Sequence, residues 1–241
     1  MLEVLAIIPA RGGSKGLPLK NLREVGGRTL VAWAVDAAMV SKLVTRVIGS
    51  TDDRDIAAEF EQAGAEVLAL RPPELSGDTT PDAPVFLYEL GVLECLGYKS
   101  DVVVNVRPTA PLRTGADIDR ALEILRATPR AASVKSVSPV TEHPYKMWTL
   151  CEDHLLEPLR PDWHGAHDGD PDVARQLLPH VYRSNGAIDA VRTEALVRSG
   201  KFHPGPVAAY AMPASRSLDI DDEGDLLTAG RLLEGVLHER D

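Results

Sequence analysis

Apolar residues crowd into short runs along this chain, at 4–8, 46–50, 65–69 and 101–107, and none of these runs alternates with polar positions. Unbroken apolarity over about four to eight residues marks strands buried on both faces, as in a parallel sheet flanked by helices. Between the runs, apolar positions recur at helical spacing over 30–40, 55–63 and 85–96, followed by a helix at 115–127 and a strand at 132–138. Strands alternating with helices predict an α/β fold with a doubly wound, mostly parallel (Rossmann-like) sheet.

The pattern stops after Ser138 and resumes near Tyr182. The intervening stretch is rich in Pro, His, Asp and Gly and contains the turn-forming Asp168-Gly169-Asp170-Pro171. A structureless loop of that length is unfavourable in a compact domain, so 140–181 is read as a small inserted subdomain that serves dimerisation. Residues 1–139 and 182–241 then form the core, which continues as a strand at 187–191, a helix at 193–199, a strand at 207–212 and a helix at 223–238. A chain of 241 residues supports one sizeable core, and with 5% aromatic residues that core must be mainly Val, Leu, Ile and Ala.

Charge narrows the partners. Lys and Arg total 26 against 36 Asp and Glu, a net charge of −10, which disfavours adhesion to nucleic acid or to an anionic membrane. No stretch approaches the roughly 20 apolar residues of a membrane span, and the chain reads as a cytoplasmic protein. Cys95 and Cys151 stand alone, and the seven histidines are scattered without helical ligand spacing, which argues against a zinc site. Ser14 and Ser184 lack His and Asp partners, so a hydrolase triad is not indicated. Any anionic ligand must be held by a local cluster of basic groups.

Such a cluster follows the first strand, in Pro9-Ala10-Arg11-Gly12-Gly13-Ser14-Lys15-Gly16-Leu17-Pro18-Leu19-Lys20-Asn21. Open parallel sheets bind ligands beyond the carboxyl ends of their strands, and the loop after the first strand is the usual place. Its three glycines let backbone N–H groups approach an anion, while Arg11, Lys15 and Lys20 gather positive charge suited to a triphosphate. Neither GxxxxGK[ST] nor GxGxxG is present, so the loop matches neither common nucleotide motif.

The segment 10–16 with Pro18, Lys20 and Asn21 resembles the signature of the N-acylneuraminate (CMP-sialic acid) cytidylyltransferase family. Similar pieces follow in order: Ser50-Thr51-Asp52, 71–75 with Asp78 and Thr79, 107–113, His143-Pro144 with Lys146, 183–188, and Asp219-Ile220-Asp221. The resemblance spans nearly the whole chain and implies transfer of CMP from CTP to a nonulosonic (sialic-type) acid, with release of pyrophosphate. It implies that Arg11, Lys15 and Lys20 meet the CTP phosphates, Lys20 stabilising charge during transfer, and that Ala10, Arg11 and Asn21 help select cytosine. Gly12, Gly13 and Ser14 belong to the same nucleotide site, which Arg71, Asp78 and Thr79 complete. Acceptor binding falls by the same resemblance to Arg107, Lys146, Arg183 and Asn185, and the expected assembly is a homodimer.

Asp219 and Asp221 are expected to hold magnesium, because residues i and i+2 of an extended segment point to one side and Mg2+ takes one or two carboxylates plus water and phosphate oxygens. The alternative is that Asp221 with Asp222 and Glu223 only favours the N-terminus of the next helix. Asp221 can also be read as a general base. Arg107 departs from the family, where Gln is common, and suggests a more anionic acceptor; the alternative is that it pairs with a nearby carboxylate. Two other functions stay open here: cytidylyl transfer to a phosphonate, and a regulatory nucleotide-binding module without turnover.

Overall fold

The computed structural model describes residues 2–14, 16–159 and 173–238. Among them the chain runs β1 (Val4–Pro9), β2 (Glu24–Val25), β3 (Arg28–Thr29), α1 (Leu30–Met39), β4 (Arg46–Ser50), α2 (Arg54–Ala63), α3 (Asp82–Cys95), β5 (Val102–Val106) and α4 (Gly115–Ala127). It continues through β6 (Ser133–Pro139), β7 (Trp148–Leu150), β8 (Leu156–Pro158), β9 (Tyr182–Arg192), α5 (Thr193–Ser199), β10 (Val207–Ala211) and α6 (Glu223–His238). These elements fall into two compact units, 1–137 with 184–241, and 138–183.

The larger unit is built on a six-stranded sheet in the order β10-β6-β9-β5-β1-β4. Strands β4, β1 and β5 are mutually parallel, as are β10 and β6, while β9 runs antiparallel to β5. The unbroken apolar runs have a direct cause. In β1, Val4, Ala6 and Ile8 enter the cluster that holds Val31, Val35, Phe60 and Ile118, whereas Leu5 and Ile7 enter the one that holds Phe86, Leu93 and Leu196. Alternate residues thus reach two apolar layers, so both faces of β1 favour apolar side chains. A third cluster joins Leu17 and Leu30 to Ile220, Leu226 and Leu233, tying the loop after β1 to α6.

Local signals fix the helix ends. The Thr29 hydroxyl accepts from the Ala32 N–H to open α1, the Asp53 carboxylate accepts from the Asp55 and Ile56 N–H groups at α2, and Thr114 and Asp117 form a reciprocal capping box at α4. The sequence expectation fails at 65–69, which is not a strand. Only Ala65 of that run is buried, and the pairing to β4 stops at one bridge, Ile48 with Glu66, made by Gly49 N–H to Glu66 C=O and Glu66 N–H to Val47 C=O. Val67 and Leu68 still pack against the two core clusters, but with a single bridge to β4 the run does not extend the sheet. The reversal of β9 was also not readable, since apolar content carries no strand direction.

The smaller unit contains the antiparallel hairpin β7–β8. His143 joins its ends: Nδ1 accepts from the Tyr145 N–H at 3.2 Å, and Nε2 donates to the Pro179 carbonyl at 3.0 Å. The turn expected at 168–171, like His164 and His167, lies outside the described residues. Among the described residues no helix is long and apolar enough to cross a membrane.

Candidate active site

Strand β1 ends in a loop held from below. The Ala10 N–H donates to the Ser50 carbonyl at 2.9 Å, and the Gly12 N–H donates to Asp52 Oδ1 at 3.0 Å. Asn21, buried, donates from Nδ2 to the Arg11 carbonyl at 3.0 Å and so ties the end of the loop to its beginning. Between them Leu19 adopts φ 52°, a left-handed conformation that costs a side-chain residue roughly 1 kcal/mol. The chain then enters the turn that opens at Lys20. Lys20 Nζ reaches across to the segment before α6, donating to the Ile220 carbonyl at 2.8 Å and standing 3.3 Å from Asp221 Oδ1.

Above this loop lies a cavity of about 560 Å³. Arg11, Ser14, Gly16, Lys20 and Asn21 line it from the loop; Arg71, Leu75, Asp78, Thr80 and Asp82 from the segment leading into α3; and Arg107, Pro108, Thr109 and Asp221 from the opposite wall. Eight of the residues singled out in the sequence therefore meet: Arg11, Ser14, Lys20, Asn21, Arg71, Asp78, Arg107 and Asp221. Ala10 and Gly12 stand behind the lining, and Gly13 is exposed beside it. Thr79 is exposed and does not line the cavity, which takes Thr80 from that segment instead. Lys15 lies outside the described residues. Lys146 and Arg183 belong to the smaller unit, where both are exposed.

Asn185 requires a correction. It is fully buried, its Oδ1 accepts from Ser136 Oγ at 2.6 Å, and its Nδ2 donates to Ser217 Oγ at 2.9 Å. A side chain so enclosed and so bonded has nothing to offer an acceptor; it fixes β9 against its neighbours. Arg107 corrects the expectation of an anion hook. Its Nη2 lies 2.5 Å from Asp82 Oδ2 and its Nη1 2.8 Å from Asp189 Oδ2, with the Gly186 carbonyl at 3.4 Å. The alternative of a paired guanidinium holds. Burial alone would lower the Arg107 pKa, but the two carboxylates outweigh it and raise it.

Arg71 is also buried, and burial lowers its pKa against the opposing charges of Asp52, 4.0 Å away, and Glu89. Asp219 sits behind Asp221 and its carboxyl is raised, first by burial and then by the charge of Asp221, against a hydrogen bond from Thr109. Gly186, at φ 69°, makes room for it: a Cβ there would fall 2.6 Å from Asp219 Oδ2. Two neighbouring carboxylates, one of them incompletely compensated, have the donor chemistry of a Mg2+ site completed by phosphate and water. Among the described residues no group of three or more His, Cys, Asp or Glu side chains could hold a metal ion.

Sequence reasoning missed Asp82 and Asp189. Asp82 is placed like any acidic residue at a helix start, and its reach to Arg107 depends on the fold. Asp189 did carry a signal: a carboxylate inside the apolar run 187–191 has to be buried, and a buried carboxylate needs a cation.

The family described as Cytidylyltransferase matches residues 5–154. The CMP-N,N'-diacetyllegionaminic acid synthase of Legionella pneumophila is 31% identical over 97% of this chain and 97% of its own. An N-acylneuraminate cytidylyltransferase of Streptococcus agalactiae serotype V is 32% identical over 94% of this chain and 52% of its own. The solved structure of a CMP:2-keto-3-deoxy-manno-octonic acid synthetase complexed with CTP superposes with a TM-score of 0.71 over 97% of this chain and 99% of that one, at 14% identity, a likeness of fold. The pattern of residues 5–154 and the similarity that runs through nearly the full length make this chain a nucleotidyltransferase that belongs to the cytidylyltransferase family.

Proposed function

We propose that this enzyme transfers CMP from CTP to a nonulosonic acid and releases pyrophosphate. The observation that carries the reading is Lys20, held on the Ile220 carbonyl at the mouth of a cavity lined by Arg11 and Arg71 on one side and Asp221 on the other. A hydroxyl of the acceptor attacks the α-phosphorus of CTP in line. The new P–O bond forms as the bond to the β-phosphate oxygen breaks, and the hydroxyl proton passes to Asp221 or to water. Nothing covalent is asked of the protein, so its contribution is position and charge. Lys20 and Arg11 oppose the charge on the phosphate oxygens, and the buried Arg71 and Asn21 favour the base and ribose end. Asp219 and Asp221 would hold Mg2+, which supplies further charge neutralisation when bound.

A CTP-consuming reaction belongs in the cytoplasm, and we take the working form to be a homodimer. A free cation at Arg107 would have favoured a more anionic acceptor such as a phosphonate, and its two carboxylate partners remove that support. Pyrophosphate release from CTP, measured with a panel of nonulosonic acids and phosphonates, tests the proposal. Turnover is expected with a nonulosonic acid and is expected to require Mg2+; turnover with phosphonates alone would overturn it.

A further inference from the structure

The wall that carries Arg107 has a charge balance unlike the rest of the cavity. Arg107 is bracketed by Asp82 and Asp189, and Asp189 in turn lies 3.4 Å from Lys135 Nζ and 3.4 Å from His203 Nε2. Two carboxylates offset the charges of Arg107 and Lys135 on this patch, whereas the loop after β1 and the segment before α3 present Arg11, Lys20 and Arg71 against Asp78, and Asp221 on the Arg107 side is paired with Lys20. The two carboxylates are not equivalent. Asp189 is almost wholly buried beneath the sheet's surface, while the Asp82 side chain is 38% exposed and lines the cavity together with Arg107. Asp82 Oδ2 accepts from Arg107 Nη2 and from Asn105 Nδ2 at 3.0 Å, which fixes the carboxylate without consuming Oδ1. Arg107 spends three of its five N–H donors on Asp82, Asp189 and the Gly186 carbonyl.

We propose that Asp82 is a specificity-determining residue that converts Arg107 from an anion hook into half of a neutral donor–acceptor edge. This rests on the reading of the cavity as a cytidylyltransferase site with its acceptor against Arg107. A carboxylate oxygen beside a guanidinium N–H offers one acceptor and one donor to the same ligand group. The complement is a neutral group with both capacities, such as a hydroxyl or an acylamino group. A second anionic group on the acceptor meets the Asp82 carboxylate instead, and like charges a few ångströms apart in a partly dry site repel. The acceptor class that follows is a monoanionic polyhydroxy acid with neutral substituents at this position. Doubly charged acceptors are rejected at this wall.

Asp82→Asn leaves a similar shape and the bond from Asn105 to a carbonyl oxygen, but removes the charge that balances Arg107. Steady-state pyrophosphate release on wild type and variant, with a nonulosonic acid and with a phosphonate as competing acceptors, reads the effect. The variant is expected to raise KM for the nonulosonic acid about 10-fold, to leave KM for CTP within about twofold, and to lower discrimination against the phosphonate by at least about 10-fold. Adding Arg107→Gln to Asp82→Asn removes the excess charge and is expected to restore most of the discrimination, which a merely structural role for Asp82 would not produce. A wild type active on nonulosonic acids with unchanged discrimination in Asp82→Asn overturns this inference alone. A wild type that prefers the phosphonate overturns both the inference and the functional reading.

Discussion

Lys20 and Asp221, 201 positions apart in the chain, meet at 3.3 Å because Lys20 Nζ is held by the carbonyl of the intervening residue Ile220 at 2.8 Å. Ile220 is fully buried, so that carbonyl is a fixed support rather than a mobile one. On the proposed function, an ammonium anchored in this way would already be aimed when CTP arrives, and its contribution would fall mainly on the transition state. Lys20→Ala should therefore lower kcat by about 10²-fold or more while CTP affinity, read by calorimetry, changes less than about 10-fold. Lost affinity with kcat preserved would make Lys20 a binding group only.

Asp221 is exposed, and its removal should leave folding intact. If it holds the metal, Asp221→Asn should reduce turnover by at least about 10²-fold, equal to roughly 2.7 kcal/mol, and raise the Mg2+ concentration needed for half-maximal rate. Chelation of the wild type should abolish activity, with recovery on adding Mg2+. A variant with ordinary Mg2+ dependence would remove Asp221 from the metal site.

Gly186 bears on the same carboxylates. Alanine there would both occupy a left-handed backbone position and press its Cβ to within 2.6 Å of Asp219 Oδ2. The backbone term is about 1 kcal/mol, small enough for the fold to survive. Displacement of Asp219 is the larger effect, and Gly186→Ala should depress kcat at least about 10-fold at a modest loss of thermal stability. Equal kcat in the two proteins would show that the Asp219 carboxylate has freedom to move.

Much of this was legible in the chain because the fold writes a repetitive code. Strands buried on two faces leave unbroken apolar runs, helices leave apolar positions at helical spacing, and the loop after the first strand leaves glycines among cations. What escaped was pairing at a distance. The backbone bond count that denies 65–69 a place as a strand, the partners that enclose Asn185, and the carboxylates that neutralise Arg107 all come from elements far apart in sequence. A sequence pattern reports a side chain's type and spacing but not which charge will stand opposite it.

The smaller unit bears on assembly. Leu150 and Leu156 lie directly opposite one another in the β7–β8 hairpin and so share a face, yet both are exposed, as are Trp148 and Leu155. A two-stranded hairpin with its apolar side chains in water is marginal by itself. A second copy of the chain is the occupant proposed for that face, and sedimentation at micromolar concentration should give twice the monomer mass. Leu150→Asp with Leu156→Asp should shift the protein toward monomer. A monomeric wild type would refute the assignment.

Asp189 sets an acid limit on stability. Burial pushes its carboxyl up, but the hydrogen bond from His203 and the charges of Arg107 and Lys135 more than offset that and bring it down to about 2. Because the folded protein binds this proton less readily than the unfolded chain, the ion pairs stabilise fully above pH about 4 and the benefit disappears as pH falls through the interval from about 4 to 2. The size at neutral pH is about 2 kcal/mol. Urea unfolding of wild type and Asp189→Asn across this range measures it. The stability difference between the two proteins should be constant from about pH 7 down to 5 and shrink steadily below 4, as the wild-type carboxylate gains its proton. A difference that stays the same down to pH 2 would mean that the carboxylate charge contributes nothing, and that the variant is weakened only by altered packing around Arg107 and His203.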